Sequence, residues 1–75
     1  MLKIKDNVEL KELEKYGFKK EYIVDSWAYI LNYTMNLYEE NMFVWLDNRH
    51  IQVNGIKLLS TLFDMIQDGI VEKVE

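Results

Sequence analysis

The one histidine of the chain, His50, lies one residue beyond Arg49 and three beyond Asp47. A carboxylate beside an imidazole is the simplest general acid–base pair, or half of a metal site. Completing a metal shell takes a second imidazole or a thiolate, and the sequence has no other His and no Cys. Asp47 and Asn48 are also residues that a tight turn selects, so the plainer reading makes His50 an outward strand residue beside a turn. Ser26 and Ser60 lack a G-x-S-x-G frame, and no glycine-rich loop is present to cradle phosphate. Glu39 and Glu40 are adjacent in sequence, which does not place two carboxylates across a cleft. The expectation is a non-catalytic chain with no cofactor and no metal.

The acidic residues make a second pattern. Asp64, Asp68, Glu72 and Glu75 are spaced by four, four and three. On a helix continuing through Gly69 they would form a row about 6 Å apart, close to the phosphate spacing of a nucleic-acid strand. Such a row competes for nucleic-acid-binding proteins; the alternative is a solvated helix face stopped by a glycine. The run LLSTLFDMIQDGIVEKV also has a winged-helix flavour, with a helix ending in glycine before a strand. Yet Ile56 to Gly69 carries only Lys57 against Asp64 and Asp68, the wrong sign for approaching phosphates. No basic residue interleaves the aromatics between Glu21 and Asn48, and Lys15, Lys19 and Lys20 suit the negative end of a preceding helix. A nucleic-acid-associated module, winged-helix-like or single-strand-binding, is therefore the alternative function.

Composition sets the frame for these residues. Seventy-five residues, 49% hydrophobic and 29% charged, are the balance of a single soluble domain over 1–75. A net charge of −4 opposes an electrostatic grip on nucleic acid or anionic lipid. The longest apolar runs are five residues, far below the roughly 20 that span a bilayer. The start MLKIKDNVEL has no apolar h-region, so a cytoplasmic location is expected.

The pattern predicts helix, strands, helix. Asp6 and Glu9 resemble a capping box for a helix over about 7–16, with Leu10, Leu13 and Tyr16 every third residue and Gly17 as its left-handed stop. Trp27, Tyr29, Leu31, Tyr33, Met35 and Leu37 alternate, which reads as strand. A helix through Ile23, Trp27, Ile30, Leu31 and Tyr38 competes, and the density of Tyr, Trp and Thr favours the strand. Met42 to Leu46 and His50 to Val53 flank Asp47-Asn48-Arg49 as a hairpin. Leu59, Leu62, Phe63 and Ile66 mark a second helix over about 56–68, again stopped by a glycine, Gly69. The expected fold is α+β: a small three- to four-stranded antiparallel sheet packed on two helices, with Leu13, Phe18, Leu59, Leu62, Phe63 and Ile66 in the core.

One strand breaks the alternation. Met42, Phe43, Val44, Trp45 and Leu46 are all apolar, whereas a half-exposed strand alternates. With both helices on one sheet face, either Phe43 and Trp45, or Met42, Val44 and Leu46, are left on the other. These five are the candidate protein interface, for a homodimer or another protein.

The opening KIKDNVELKELEKYGF and the closing LFDMIQDGIVEKVE resemble the two ends of small phage and prophage proteins of low-GC Gram-positive bacteria. Those proteins begin with a KIKD-x-x-LKELEKFGF-like stretch and end with a LYDLI-x-x-GLVEKV-like one; here Phe63 and Ile70 replace a common Tyr and a common Leu. Eight Lys to one Arg, with many Ile, Asn and Tyr, agrees with AT-rich coding DNA. The resemblance covers the outer forty per cent or so of the chain and brings no catalytic residues. It implies a small accessory protein that binds a host or phage protein.

Overall fold

The computed structural model describes residues 1–25 and 28–74, with residues 23–25 and 28 described for their backbone only. The expected strands at Trp27 and the acidic position Glu75 lie outside the described residues. Among the described residues, six strands, a 3-10 helix and an α-helix follow in the order β1 (Leu2–Ile4), 3-10 helix (Leu10–Tyr16), β2 (Lys19–Asp25), β3 (Ala28–Leu37), β4 (Glu40–Trp45), β5 (Ile51–Asn54), α1 (Leu59–Gln67) and β6 (Val71–Lys73). Strands β2-β3-β4-β5 form one antiparallel sheet, and β1 pairs with β6 in a second. A single bridge between Lys3 and His50 ties the small sheet to the edge of the large one.

Residues 28–37 are strand, as their alternation predicts. Register sets Tyr33 opposite Val44 and Met35 opposite Met42, and these four are buried with Ile51. Phe18 and Leu13 from the N-terminal segment, Leu58, Leu62 and Met65 from the α1 region, and Ile4 and Ile70 from the small sheet complete the core. The core therefore lies between one face of the four-stranded sheet and everything that is not in it.

The N-terminal helix is shorter and tighter than the capping-box pattern predicts. It begins after Glu9, and no side chain caps it. Asp6 lies three residues before the cap position, Glu9, and accepts from Lys3 Nζ at 3.0 Å. The reason for the 3-10 form is in the spacing. An apolar residue at every third position matches three residues per turn, not 3.6. Gly17, at φ 102°, closes the helix, with its N–H on the Glu14 carbonyl and the Phe18 N–H on that of Leu13.

The second helix also starts later than its pattern, at Leu59. Its buried residues overturn half of the expected core: Leu62 is buried, but Leu59, Phe63 and Ile66 are exposed. Leu58, Leu62 and Met65, at i, i+4 and i+7, face the sheet instead. The C-terminal end fixes this rotation. Gly69 at φ 76° reverses the chain, the Ile70 N–H donates to the Met65 carbonyl at 3.3 Å, and Ile70 is itself buried. That is a Schellman-type stop in which the apolar follower packs beside Met65. Once Ile70 enters the core and Val71–Lys73 pairs with Leu2–Ile4, the arc of α1 holding Met65 must face inward.

Candidate functional site

The β4–β5 turn is built by the residues that could have been chemical. Asp47 Oδ1 accepts from the Asn48 N–H at 2.7 Å, and Asn48 Oδ1 accepts from the His50 N–H at 2.9 Å. Asp47 therefore serves the turn, and His50 takes its place at the bridge to Lys3. Arg49 adopts a left-handed conformation, φ 64°. Its Nη1 donates to the Lys5 and Val8 carbonyls at 2.8 and 2.6 Å, while its own carbonyl accepts from the Ile4 N–H at 2.9 Å. The one arginine is a staple between this turn and the N-terminal loop. Among the described residues, no group of three or more His, Cys, Asp and Glu side chains is gathered that could hold a metal ion.

The acidic row does not form. Helix α1 ends at Gln67 and Gly69 turns the chain, so Glu72 sits on β6 rather than one helical turn beyond Asp68. Glu72 lies 3.5 Å from Lys3 Nζ. Asp68 accepts a 2.5 Å hydrogen bond from the Tyr16 hydroxyl. That bond, followed by desolvation and the nearby charges of Asp68, Glu12 and Asp64, pushes the Tyr16 phenol up to about 12. Tyr16–Asp68 is thus a clasp between the 3-10 helix and the end of α1. Lys3 is also raised, first by its hydrogen bond to Asp6.

The apolar run on β4 divides strictly by parity. Met42 and Val44 are fully buried in the core, which removes them from the candidate interface. Phe43 and Trp45 face the other way, half-buried and outside the core cluster, with ring centroids 5.9 Å apart and planes tilted by 31°. Leu46, just past the strand, is half-buried against the core. Opposite Trp45 is Asn32, and opposite Phe43 is Thr34. Both are buried, Asn32 completely. Their polar atoms are satisfied locally: Asn32 Nδ2 donates to the Ile30 carbonyl at 3.2 Å, and the Thr34 hydroxyl donates to Asn32 Oδ1. Beyond the rings lies a carboxamide cluster, with Asn54 Nδ2 donating to Asn41 Oδ1 at 2.6 Å. The outer sheet face is therefore an aromatic pair above satisfied polar groups, bordered by amides.

Sequence reasoning missed a second apolar surface. Leu59, Phe63 and Ile66 are 44%, 63% and 44% exposed along one side of α1, and Ile56, before the helix, is 79% exposed. The signal was present: seven of the eleven residues from Ile56 to Ile66 are apolar, an arc too wide for a small sheet to cover. A third feature is a cleft of about 430 Å³ lined by Tyr38, Glu39, Glu40 and Lys57. Its polar groups are mutually engaged: Glu40 Oε1 accepts from the Lys57 N–H at 2.6 Å, and Lys57 Nζ lies 5.1 Å from the Tyr38 ring centre.

No helix of the described residues is long and apolar enough to cross a membrane. No family model, no curated protein and no solved structure matches the chain.

Proposed function

We propose that the chain is a small acidic accessory protein of phage type that acts without catalysis, by binding another protein in the host cytosol. Interference with a host defence or DNA-processing factor is the specific version. The observation that supports it is the Phe43–Trp45 pair, two large rings held together on the sheet face opposite the core. Aromatic anchors ringed by hydrogen-bonding groups are the usual energetic centre of a protein interface, and Asn41, Gln52 and Asn54 supply that ring. The net charge of −4 favours a partner with Lys and Arg around an apolar centre.

The test is affinity capture from host extract with the wild-type chain, Trp45→Ala and Phe43→Ser, followed by titration of the purified captured protein. Both substitutions are expected to weaken binding at least tenfold (about 1.4 kcal/mol) while leaving the fold intact. A captured protein bound equally well by all three chains would overturn the assignment of this face.

The second reading, a single-strand-binding module, draws on one observation: Lys19 lies on the same cross-strand row as Thr34 and Phe43. A tilted pair of rings with a cation alongside suits an unpaired base. Oligonucleotide binding that falls steeply with salt and vanishes in Trp45→Ala would favour this reading over the first.

A further inference from the structure

We infer that the outer edge of β2 is a self-association surface, paired antiparallel with the same edge of a second copy of this chain about a two-fold axis at Tyr22. β2 stands at the end of the four-stranded sheet, so every second residue turns its N–H and C=O away from β3. Among the described residues no strand pairs with that edge, and Lys19, Lys20, Glu21 and Tyr22 are all exposed. The strand has seven residues and no proline, which makes its edge a template for another strand. Its hairpin with β3 also lacks support from the rest of the sheet. β4 pairs with residues 32–37 of β3, whereas residues 28–31 pair only with β2. Beyond β4 the sheet is thus a two-stranded ribbon, which is marginal by itself in water. Tyr22 and Tyr29 stand on this ribbon, 65% and 74% exposed, packed edge to face with centroids 6.4 Å apart.

Symmetry and charge together choose the occupant. A two-fold axis relating antiparallel neighbours in one sheet stands perpendicular to it, so one residue on the edge faces its own copy. Three such registers pair five or more residues of Lys19–Asp25. An axis at Glu21 sets glutamate against glutamate, and an axis at Ile23 puts Glu21 in register with Asp25 twice; like charges directly opposite destabilise a sheet. An axis at Tyr22 pairs all seven residues and puts Lys19 in register with the partner's Asp25 twice. Lysines guard an edge against arbitrary pairing, and in this one register Lys19 is matched by an acid. No ion pair of the described residues draws on Lys19. The two copies of Tyr22 meet at the axis with Tyr29 beside each, an aromatic cluster of the kind that stabilises cross-strand pairs. Two four-stranded sheets then join as one, with both cores on one face and both Phe43–Trp45 pairs on the other.

Sedimentation equilibrium of the full chain from about 5 µM to about 1 mM should show the mass rising from 9.1 kDa toward twice that value. Lys19→Asp and Asp25→Lys each create two like-charge pairs and should raise Kd at least about fivefold with an unchanged circular dichroism spectrum. The double variant exchanges the charges and should restore the dimer, a rescue that general damage to the strand would not allow. Because the chain has no cysteine, Tyr22→Cys adds an independent readout. Cα atoms directly opposite in an antiparallel pair are about 4.5–5.5 Å apart, within reach of a disulfide, so mild oxidation should link this variant across the axis. Phe63→Cys, at a comparably exposed site, should stay unlinked. A monomer at every concentration would leave the edge to another protein's strand and overturn the inference. A dimer indifferent to both single charge reversals, one that the double variant fails to restore, or one linked through Phe63→Cys and not through Tyr22→Cys would overturn it as well.

Discussion

Leu62 and Phe63 are neighbours in sequence, yet the rotation of α1 gives them opposite fates. Leu62 is buried against the sheet and Phe63 is 63% exposed. Leu62→Ala deletes three carbons from the core, about 2.4 kcal/mol of transfer free energy at 0.8 per methylene. The cavity left behind brings the cost to roughly 3–4 kcal/mol. For a domain of this size total stability is about 4–11 kcal/mol, and each kcal/mol moves the Tm by roughly 4–8 °C. Leu62→Ala should therefore lower the Tm by about 15–30 °C. Phe63→Ala loses only the buried third of a ring, about 1 kcal/mol or less and no more than roughly 8 °C. The assay is thermal denaturation followed by circular dichroism at a few micromolar. A Phe63→Ala variant as unstable as Leu62→Ala would show that the helix is rotated so that Phe63 points inward. That result would remove the exposed stripe altogether.

Two further outcomes follow from contacts between segments distant in sequence. Tyr16 is raised from 10.0 to about 12, foremost by donating to Asp68; a group raised on folding adds stability in full below its unfolded pKa, and that contribution is lost as pH climbs between the two values. Tyr16→Phe should be less stable than wild type by about 1 kcal/mol below pH 10, after discounting for solvent around the clasp, with the difference closing toward pH 12 in paired denaturant titrations; a gap that widens over that interval would contradict the clasp. Arg49→Ala removes both guanidinium bonds to the Lys5 and Val8 carbonyls and should cost about 2–3 kcal/mol in chemical denaturation. Arg49→Gly, which accommodates φ 64° freely, should recover about 1 kcal/mol of that, and two variants of equal stability would show that the left-handed backbone carries no cost.

What was legible in the sequence was whatever a local period encodes. Alternation from Tyr29 to Leu37 gave the longest strand, and the β4–β5 turn was readable from Asp47-Asn48 because those side chains bond to the next backbone N–H groups. Gly17 and Gly69 both cap as expected, since each is followed by an apolar residue that re-enters the core. The every-third spacing of Leu10, Leu13 and Tyr16 carries the 3-10 period, although a capping box at Asp6 predicts an α-helix. The β1–β6 pair was not legible. Three-residue strands carry no period of their own, and this one exists through a partner some seventy residues away. The face of α1 was not legible for the opposite reason: two apolar stripes satisfy the same helical period, and only Ile70 and the β6 pairing choose between them.

That choice shapes what the molecule can present. Among the described residues, a four-stranded sheet backed on one face by a short helix, a 3-10 turn and a two-stranded ribbon buries twelve hydrophobic side chains. The sequence holds more apolar residues than such a core can take, and Met1, Tyr22, Tyr29, Leu37 and Tyr38 are exposed among the surplus. Part of it gathers as Phe43 and Trp45 on the outer sheet face and as Leu59, Phe63 and Ile66 on α1, which packs on the inner face. At 100° per residue Leu59, Phe63 and Ile66 lie about 100° around α1 from Leu62 and Met65, so the exposed stripe is on the flank of the helix, while the Phe43–Trp45 pair is on the far face of the sheet.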